Sequence, residues 1–206
     1  PMSSRDITYH QFFFNLPLPP GAEQTVYLRL QDNFSMQVPL TLWQPAALAG
    51  RAGADLLLAG LLHGMMLVMA GYNLFLFLSL RERSYLYLGW FILADSLLVA
   101  TRNGLTFQYL GPTLAGDPLY FLTITNTTIP GVFFTRIVLS TRSHMPRLHL
   151  ALTGLALLSG LTAAAASLGA PFTDSQNAII ALALMLLLSL AGILAWRRGY
   201  RPARYY

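Results

Sequence analysis

The sequence predicts a mixed architecture, an all-α polytopic membrane helix bundle preceded by the last strands of a β-sandwich. Three observations predict it. Of 206 residues, 55% are hydrophobic and only 10% charged, whereas soluble domains carry roughly a quarter charged residues. From residue 56 onward, apolar stretches follow one another, each near the ~20 residues that cross hydrocarbon. The first 43 residues instead alternate apolar and polar positions with the period of half-buried strands.

In residues 1–43, "LPLPPGAEQ" (16–24) is a turn, because its prolines and glycine block both helix and ladder. "TVYLRLQ" then sets Val26, Leu28 and Leu30 against Tyr27, Arg29 and Gln31, and "SMQVPLTLW" sets Met36, Val38, Leu40 and Leu42 against more polar neighbours. Pro39 makes the second run an edge strand or a bulged one. So few strands cannot bury a sheet face alone, so the region reads as the closing edge of a sandwich whose earlier strands lie upstream. "QPAALAGRAGA" (44–54) reads as a linker. The start, "PMSSRDITYHQ", lacks the basic and apolar regions of a signal peptide, and the sequence reads as an internal piece of a longer protein.

Residues 55–206 form the membrane region, with helices expected at about 56–80, 85–101, 118–140, 148–169 and 176–196. Short polar loops between them leave almost no water-facing surface, which disfavours buried helices of a soluble protein. All thirteen basic residues are arginines, and their placement sets the orientation. The first loop holds Arg81 and Arg83 and the third holds Arg142 and Arg147. The fifth helix is followed by Arg197, Arg198, Arg201 and Arg204. The loop after the second helix carries only Arg102, with Asp117, and "PFTDS" carries no arginine. Basic loops mark the inside. The β region is therefore expected outside the cytoplasm, in a bacterial inner membrane, with the arginines anchoring turns at anionic headgroups. The +5 net charge thus points to membrane lipid as a partner and not to nucleic acid. The sequence has no cysteine, which excludes disulfides, thiolate nucleophiles and Cys-based metal sites. No cofactor and no catalytic set is expected.

Ionisable groups inside a membrane are costly and so are candidate functional positions. Asp95 lies about eleven residues into the second helix, roughly 16 Å from its inner end. A clasp with Asn73 or Tyr72, a proton- or ligand-responsive role, and exposure to water all fit it. His63 in "LLHGMM" lacks a second intramembrane histidine with which to hold a metal or haem. His144 and His149 lie in a loop without the carboxylates a metal site needs. "TITNTTIPGVFFTR" (123–136) is the least apolar helical stretch. Pro130 removes a backbone donor there and predicts a kink, with Asn126 and the threonines bonding freed carbonyls or neighbouring helices. The kink is either packing or the pivot of a relay. Arg136 is expected to snorkel to the interface.

"GYNLFLFLSLRERSYLYLGWFIL", followed by "NGLTFQYLGP", resembles the start of the membrane region in bacterial seven-transmembrane receptors with diverse intracellular signalling modules. "FFTRIVLSTRSHMPRLH" is similar to that family's third helix and the loop after it, and "RRGYRPARYY" to the run from the fifth helix into the sixth. "FFFNLPLPPGAEQTVYLRLQDNFSMQVPLTLW" is similar to the end of its extracytoplasmic jelly-roll domain. The resemblance implies a sensory receptor with two further helices and a cytoplasmic output module, commonly a histidine kinase or a cyclase. It also implies a carbohydrate-like or other small extracytoplasmic ligand, and signalling through kinases and cyclases suggests a homodimer. A transporter, an intramembrane enzyme and a passive membrane anchor remain the alternatives.

Overall fold

The computed structural model describes residues 13–16, 18, 19, 21, 23–28, 40–110, 117–168 and 174–197. Among them are the helices α1 (Pro45–Leu80), α2 (Arg83–Arg102), α3 (Leu105–Leu110), α4 (Asp117–Val138), α5 (Thr141–His144), α6 (Pro146–Ser167) and α7 (Asp174–Arg197). No strand occurs among the described residues. Residues 26–28 and 40–42 of the expected strands carry no regular secondary structure, and the rest of those strands lies outside the described residues. A strand needs a paired neighbour to be defined, so the β-sandwich has no counterpart in what is described.

The segment expected as a linker is helical from Pro45. Proline is favoured at a first helical position, where its missing N–H would be unpaired anyway. Ala46, Ala47, Ala49, Ala52 and Ala54 have the highest helix propensity of any residue, which outweighs Gly50 and Gly53. An i,i+4 contact between Arg51 Nε and Asp55 Oδ1 at 3.2 Å adds a little on the exposed face. At 36 residues, α1 is about 54 Å long, well beyond a hydrocarbon core of about 30 Å.

Helix α1 ends where Arg81 adopts a left-handed conformation (φ 55°) and its N–H bonds the Phe77 carbonyl at 2.7 Å. This closes the helix as a glycine usually would. Only Arg81 and Glu82 separate α1 from α2. A second non-glycine left-handed residue, Ser140 (φ 45°), stands between α4 and α5.

Among the described residues, four helices are long and apolar enough to cross a membrane, namely α1, α2, Pro146–Ala165 of α6 and Ile179–Arg197 of α7. Helix α4, expected as the third crossing, is of similar length but is not among them. Its threonines and Asn126 lower its apolarity, and its position accounts for them. It packs against α2 on one side and α6 on another, and Thr123, Thr128, Pro130, Gly131, Val132 and Thr135 are buried. A helix enclosed by its neighbours does not need the apolar surface that lipid demands.

Contacts fix the antiparallel order. Trp90 meets Asn126 and Tyr87 meets Phe133 across α2 and α4. Thr125 meets Ser159 and Arg136 meets His149 across α4 and α6. Ala191 and Ala195 of α7 cluster with Leu139 and Met145. The end of α1, the start of α2, the end of α4, the start of α6 and the end of α7 therefore share one end of the bundle. Arg81, Arg83, Arg142, Arg147 and Arg197 are all there and all exposed; Arg198, Arg201 and Arg204 lie outside the described residues.

The interior is rich in small residues, beside Val132, Leu139, Met145 and Leu152, and the outside in large apolar ones. Ala70, Ala94, Ala163, Ala191 and Ala195 are buried, whereas Leu57, Val68, Leu78, Leu150, Leu161 and Met185 are exposed. This distribution suits a lipid solvent, in which helices associate by close approach and not by hiding leucines from water. Gly89 shows the approach directly: a Cβ there would lie 3.4 Å from the Ala70 carbonyl oxygen and 3.4 Å from Asn73 Cβ. Gly131 is tighter, with its Cβ position 3.3 Å from two ring carbons of Phe91.

Candidate functional site

Seven side chains form a continuous path from the middle of the bundle to its arginine-rich end. The indole Nε1–H of Trp90 on α2 donates to Asn126 Oδ1 on α4 at 2.9 Å. One turn earlier on α2, Tyr87 lies 6.5 Å from the Trp90 ring and stacks on Phe133 of α4 at 5.1 Å and 14°. The Arg136 guanidinium sits 5.2 Å above the Phe133 ring, within cation–π range. Arg136 Nη2 is 3.0 Å from His149 Nε2 on α6, and His149 Nδ1 is 3.1 Å from Thr141 Oγ1 on α5.

The chemistry of these groups assigns the protons. A guanidinium has no acceptor, so Arg136 donates and His149 Nε2 accepts. The neutral ring then carries its proton on Nδ1 and donates it to Thr141 Oγ1. Thr141 is fully buried, and the adjoining backbone is tied down by Met145 N–H to the Thr141 carbonyl at 2.8 Å. The turn between α4 and α6 is thus closed by side chains from both helices. Arg136, expected to snorkel, is half-buried over an aromatic ring and bonded to a histidine. His149, considered only as a metal ligand from the sequence, is the residue that joins the two helices.

Trp90→Phe keeps a ring at this position and removes only the donor. Interhelical hydrogen bonds in membranes average about 0.6 kcal/mol and reach about 1.7 kcal/mol, so a loss in that range is expected in an SDS unfolding titration. Stability equal to the parent's would show that the Trp90–Asn126 bond contributes nothing.

The sequence candidates fall in several places. Asn73 is buried, but its Nδ2 donates to the Met69 carbonyl of its own helix at 2.8 Å. Asp95 is half-buried and has no hydrogen-bond or ion-pair partner among the described residues. The expected clasp is absent because Gly89 is level with Asn73, which puts Asp95 six residues, about 9 Å, farther along α2. Tyr72 is 60% exposed and belongs to the outer surface. His63 Nδ1–H donates to the Ala59 carbonyl at 2.8 Å, leaving Nε2 buried without a partner. Pro130 is buried within α4, which continues through it. Thr123, Thr127, Thr128 and Thr135 bond carbonyls of their own helix, while Asn126 and Thr125 reach across to α2 and α6.

An apolar groove of about 810 Å³ opens between α2, α4 and α7, walled by Leu88, Phe91, Phe134, Leu188 and Ile193. Its hydroxyls are already engaged, Thr135 with the Gly131 carbonyl and Ser189 with the Met185 carbonyl. It offers an occupant shape and apolar surface but little hydrogen bonding.

The long apolar helices and the polar contacts that link them define a multi-pass membrane helix bundle. Residues 55–206 match the family described as 7TM diverse intracellular signalling, and residues 1–44 match 7TMR-DISM extracellular 2. The chain belongs to the 7TMR-DISM family of membrane sensory receptors with diverse intracellular signalling. No curated protein and no solved structure matches it.

Proposed function

We propose that this chain relays an extracytoplasmic ligand signal through its helices to a cytoplasmic output module of the histidine kinase or diguanylate cyclase type. The observation that carries the reading is the path from Asn126 to Thr141, which couples α2, α4 and α6 from mid-bundle to the arginine-rich end. That end is cytoplasmic in this reading, because arginine-rich loops are retained inside, in a bacterial inner membrane. Residues 1–43 then belong to an extracytoplasmic jelly-roll-like sensor domain that takes a carbohydrate-like or other small ligand. Relay works by biasing two packings of the bundle, which requires the ligand to bind one of them more tightly. The two further helices that the resemblance implies pack against the groove between α2, α4 and α7. A second copy of the chain is the expected partner, since kinase and cyclase modules commonly work in pairs.

Replacing residues 55–197 and the following helices with an unrelated anchor of the same topology tests the relay in the full-length receptor. Output is expected to persist while its response to stimulus is lost. A retained response would make the region a passive anchor, and substrate uptake by proteoliposomes carrying the receptor would make it a transporter.

A further inference from the structure

Two residues of α4, Thr125 and Arg136, make polar contacts with α6 that differ in kind. Toward the end opposite the arginines, Thr125 Oγ1–H donates to the Ser159 carbonyl at 3.0 Å, a bond between groups that do not titrate. Eleven residues away, about 16 Å along the helix, Arg136 donates to His149 Nε2 at 3.0 Å. The second bond exists only while Nε2 has a free lone pair. Protonation turns this acceptor into an N–H that faces a permanent donor, and the bond cannot survive it.

We propose that the Arg136–His149–Thr141 contact is a proton-sensitive latch: with His149 neutral it clamps the inner end of α4 to α6, and with His149 protonated it releases that end. This goes beyond the relay reading, because it requires neither a ligand nor an output module.

The surroundings of the ring offer a protonated His149 no substitute for the lost bond. The charges acting on His149 are Arg136 on α4 and Arg142 on α5, with Arg147 two residues earlier on its own helix. No carboxylate among the described residues acts on it. From α7, the residues packed at this end are Ala191, Leu194 and Ala195, none of which titrates. Helix α2 supplies Tyr87, which stacks on Phe133 beneath Arg136. A protonated ring therefore finds no anion to replace the bond it has lost, and it meets two guanidinium charges. Pro130 lies between the two α4–α6 contacts, where the backbone already lacks one hydrogen bond. The inner segment from Gly131 to Val138 can thus swing while the Thr125–Ser159 contact holds.

Spin labels on Ile137 of α4 and Leu150 of α6 test this, since both are exposed, at 40% and 73%; these 206 residues contain no cysteine, and any cysteine elsewhere in the receptor is replaced by serine before labelling. The full-length receptor in nanodiscs is measured by pulsed dipolar spectroscopy at pH values above and below the usual histidine range. A shift to longer distances at the lower pH is expected. His149→Gln should abolish the shift and keep the short distance, because an amide supplies one acceptor and one donor and does not titrate. Distances unchanged by pH in the parent, or an equal shift in His149→Gln, would overturn the latch. Should that variant fail to insert, the parent with ¹⁵N-labelled histidine and arginine still decides it. At high pH a ring nitrogen in through-space contact with the Arg136 guanidinium must be the unprotonated Nε2, and finding the proton on Nε2 overturns the proposal.

Discussion

Gly89→Leu is expected to separate α1 from α2 and to cause the largest loss of folded protein of any single change considered. A Cβ at this position already lies 3.4 Å from both the Ala70 carbonyl oxygen and Asn73 Cβ, with the Leu74 nitrogen at 3.9 Å. Much of that surface is helix backbone, which cannot rotate out of the way as a side chain can. The Cγ and two methyls of leucine must therefore displace α1. Overpacking typically costs about 1–3 kcal/mol, and more where the backbone must move. The displaced pair also contains buried Asn73, whose amide would lose its enclosed position. Gly89→Ala places a single carbon at ordinary contact distance and is expected to fold. Comparing the two variants by SDS titration and by monodisperse yield in detergent checks this. Equal behaviour of the alanine and leucine variants would mean that α1 and α2 are not held as closely as the geometry requires.

The second large effect is expected from Arg136→Ala. It removes the hydrogen bond to His149 and the cation–π contact with Phe133 together. It also leaves His149 Nε2 without its donor beside fully buried Thr141. Hydrogen bonds to charged groups contribute about 1.5–3 kcal/mol and an exposed cation–π contact about 0.5–1 kcal/mol. The destabilisation is therefore expected to be on the order of 2 kcal/mol. A double-mutant cycle with His149→Ala isolates the pair, and residues in direct contact couple by roughly 0.5–3 kcal/mol. Strict additivity would show that the two side chains do not act together. Arg136→Lys keeps the charge but loses the planar face that stacks on Phe133, and it is expected to fall between the parent and Arg136→Ala.

Much of the helical scaffold is legible in the sequence. The hairpin at Arg81–Glu82 follows from two apolar runs separated by charges, and the structure ends α1 at Leu80 as expected. Arg81, Arg83, Arg142, Arg147 and Arg197 fall at one end because helices of similar length joined by short loops must alternate direction. Residues 45–54 fall between the two matched family regions, in keeping with the linker reading of 44–54, but the segment is helical, because alanines following Pro45 make a good first helical turn. The short α3 within the expected second loop was missed, since six residues give periodicity too little length to register.

The site was less legible. Asp95 stands out in sequence because a carboxylate in an apolar run is conspicuous, but its depth predicted a partner that the register of α1 against α2 does not provide. Arg136 and His149 are thirteen residues apart on either side of a turn, and nothing in their spacing marks them as a pair. A signal was present: an arginine and a histidine flank "LSTRSHMPRL" with no acid nearby. It indicated that any contact between them would need a neutral ring, but not that the contact exists.

By itself the sequence determined the solvent, the end at which the arginines gather and the family. These depend on composition and on period, which act locally along each helix. Only the tertiary structure decided that the least apolar helix stands between α2 and α6, that Gly89 and Gly131 are points of closest approach, and that Arg136 is bonded to His149. Those facts depend on the rotation and register of one helix against another. Both are set by packing among small side chains, and the pattern of hydrophobicity along the chain is almost unaffected by either.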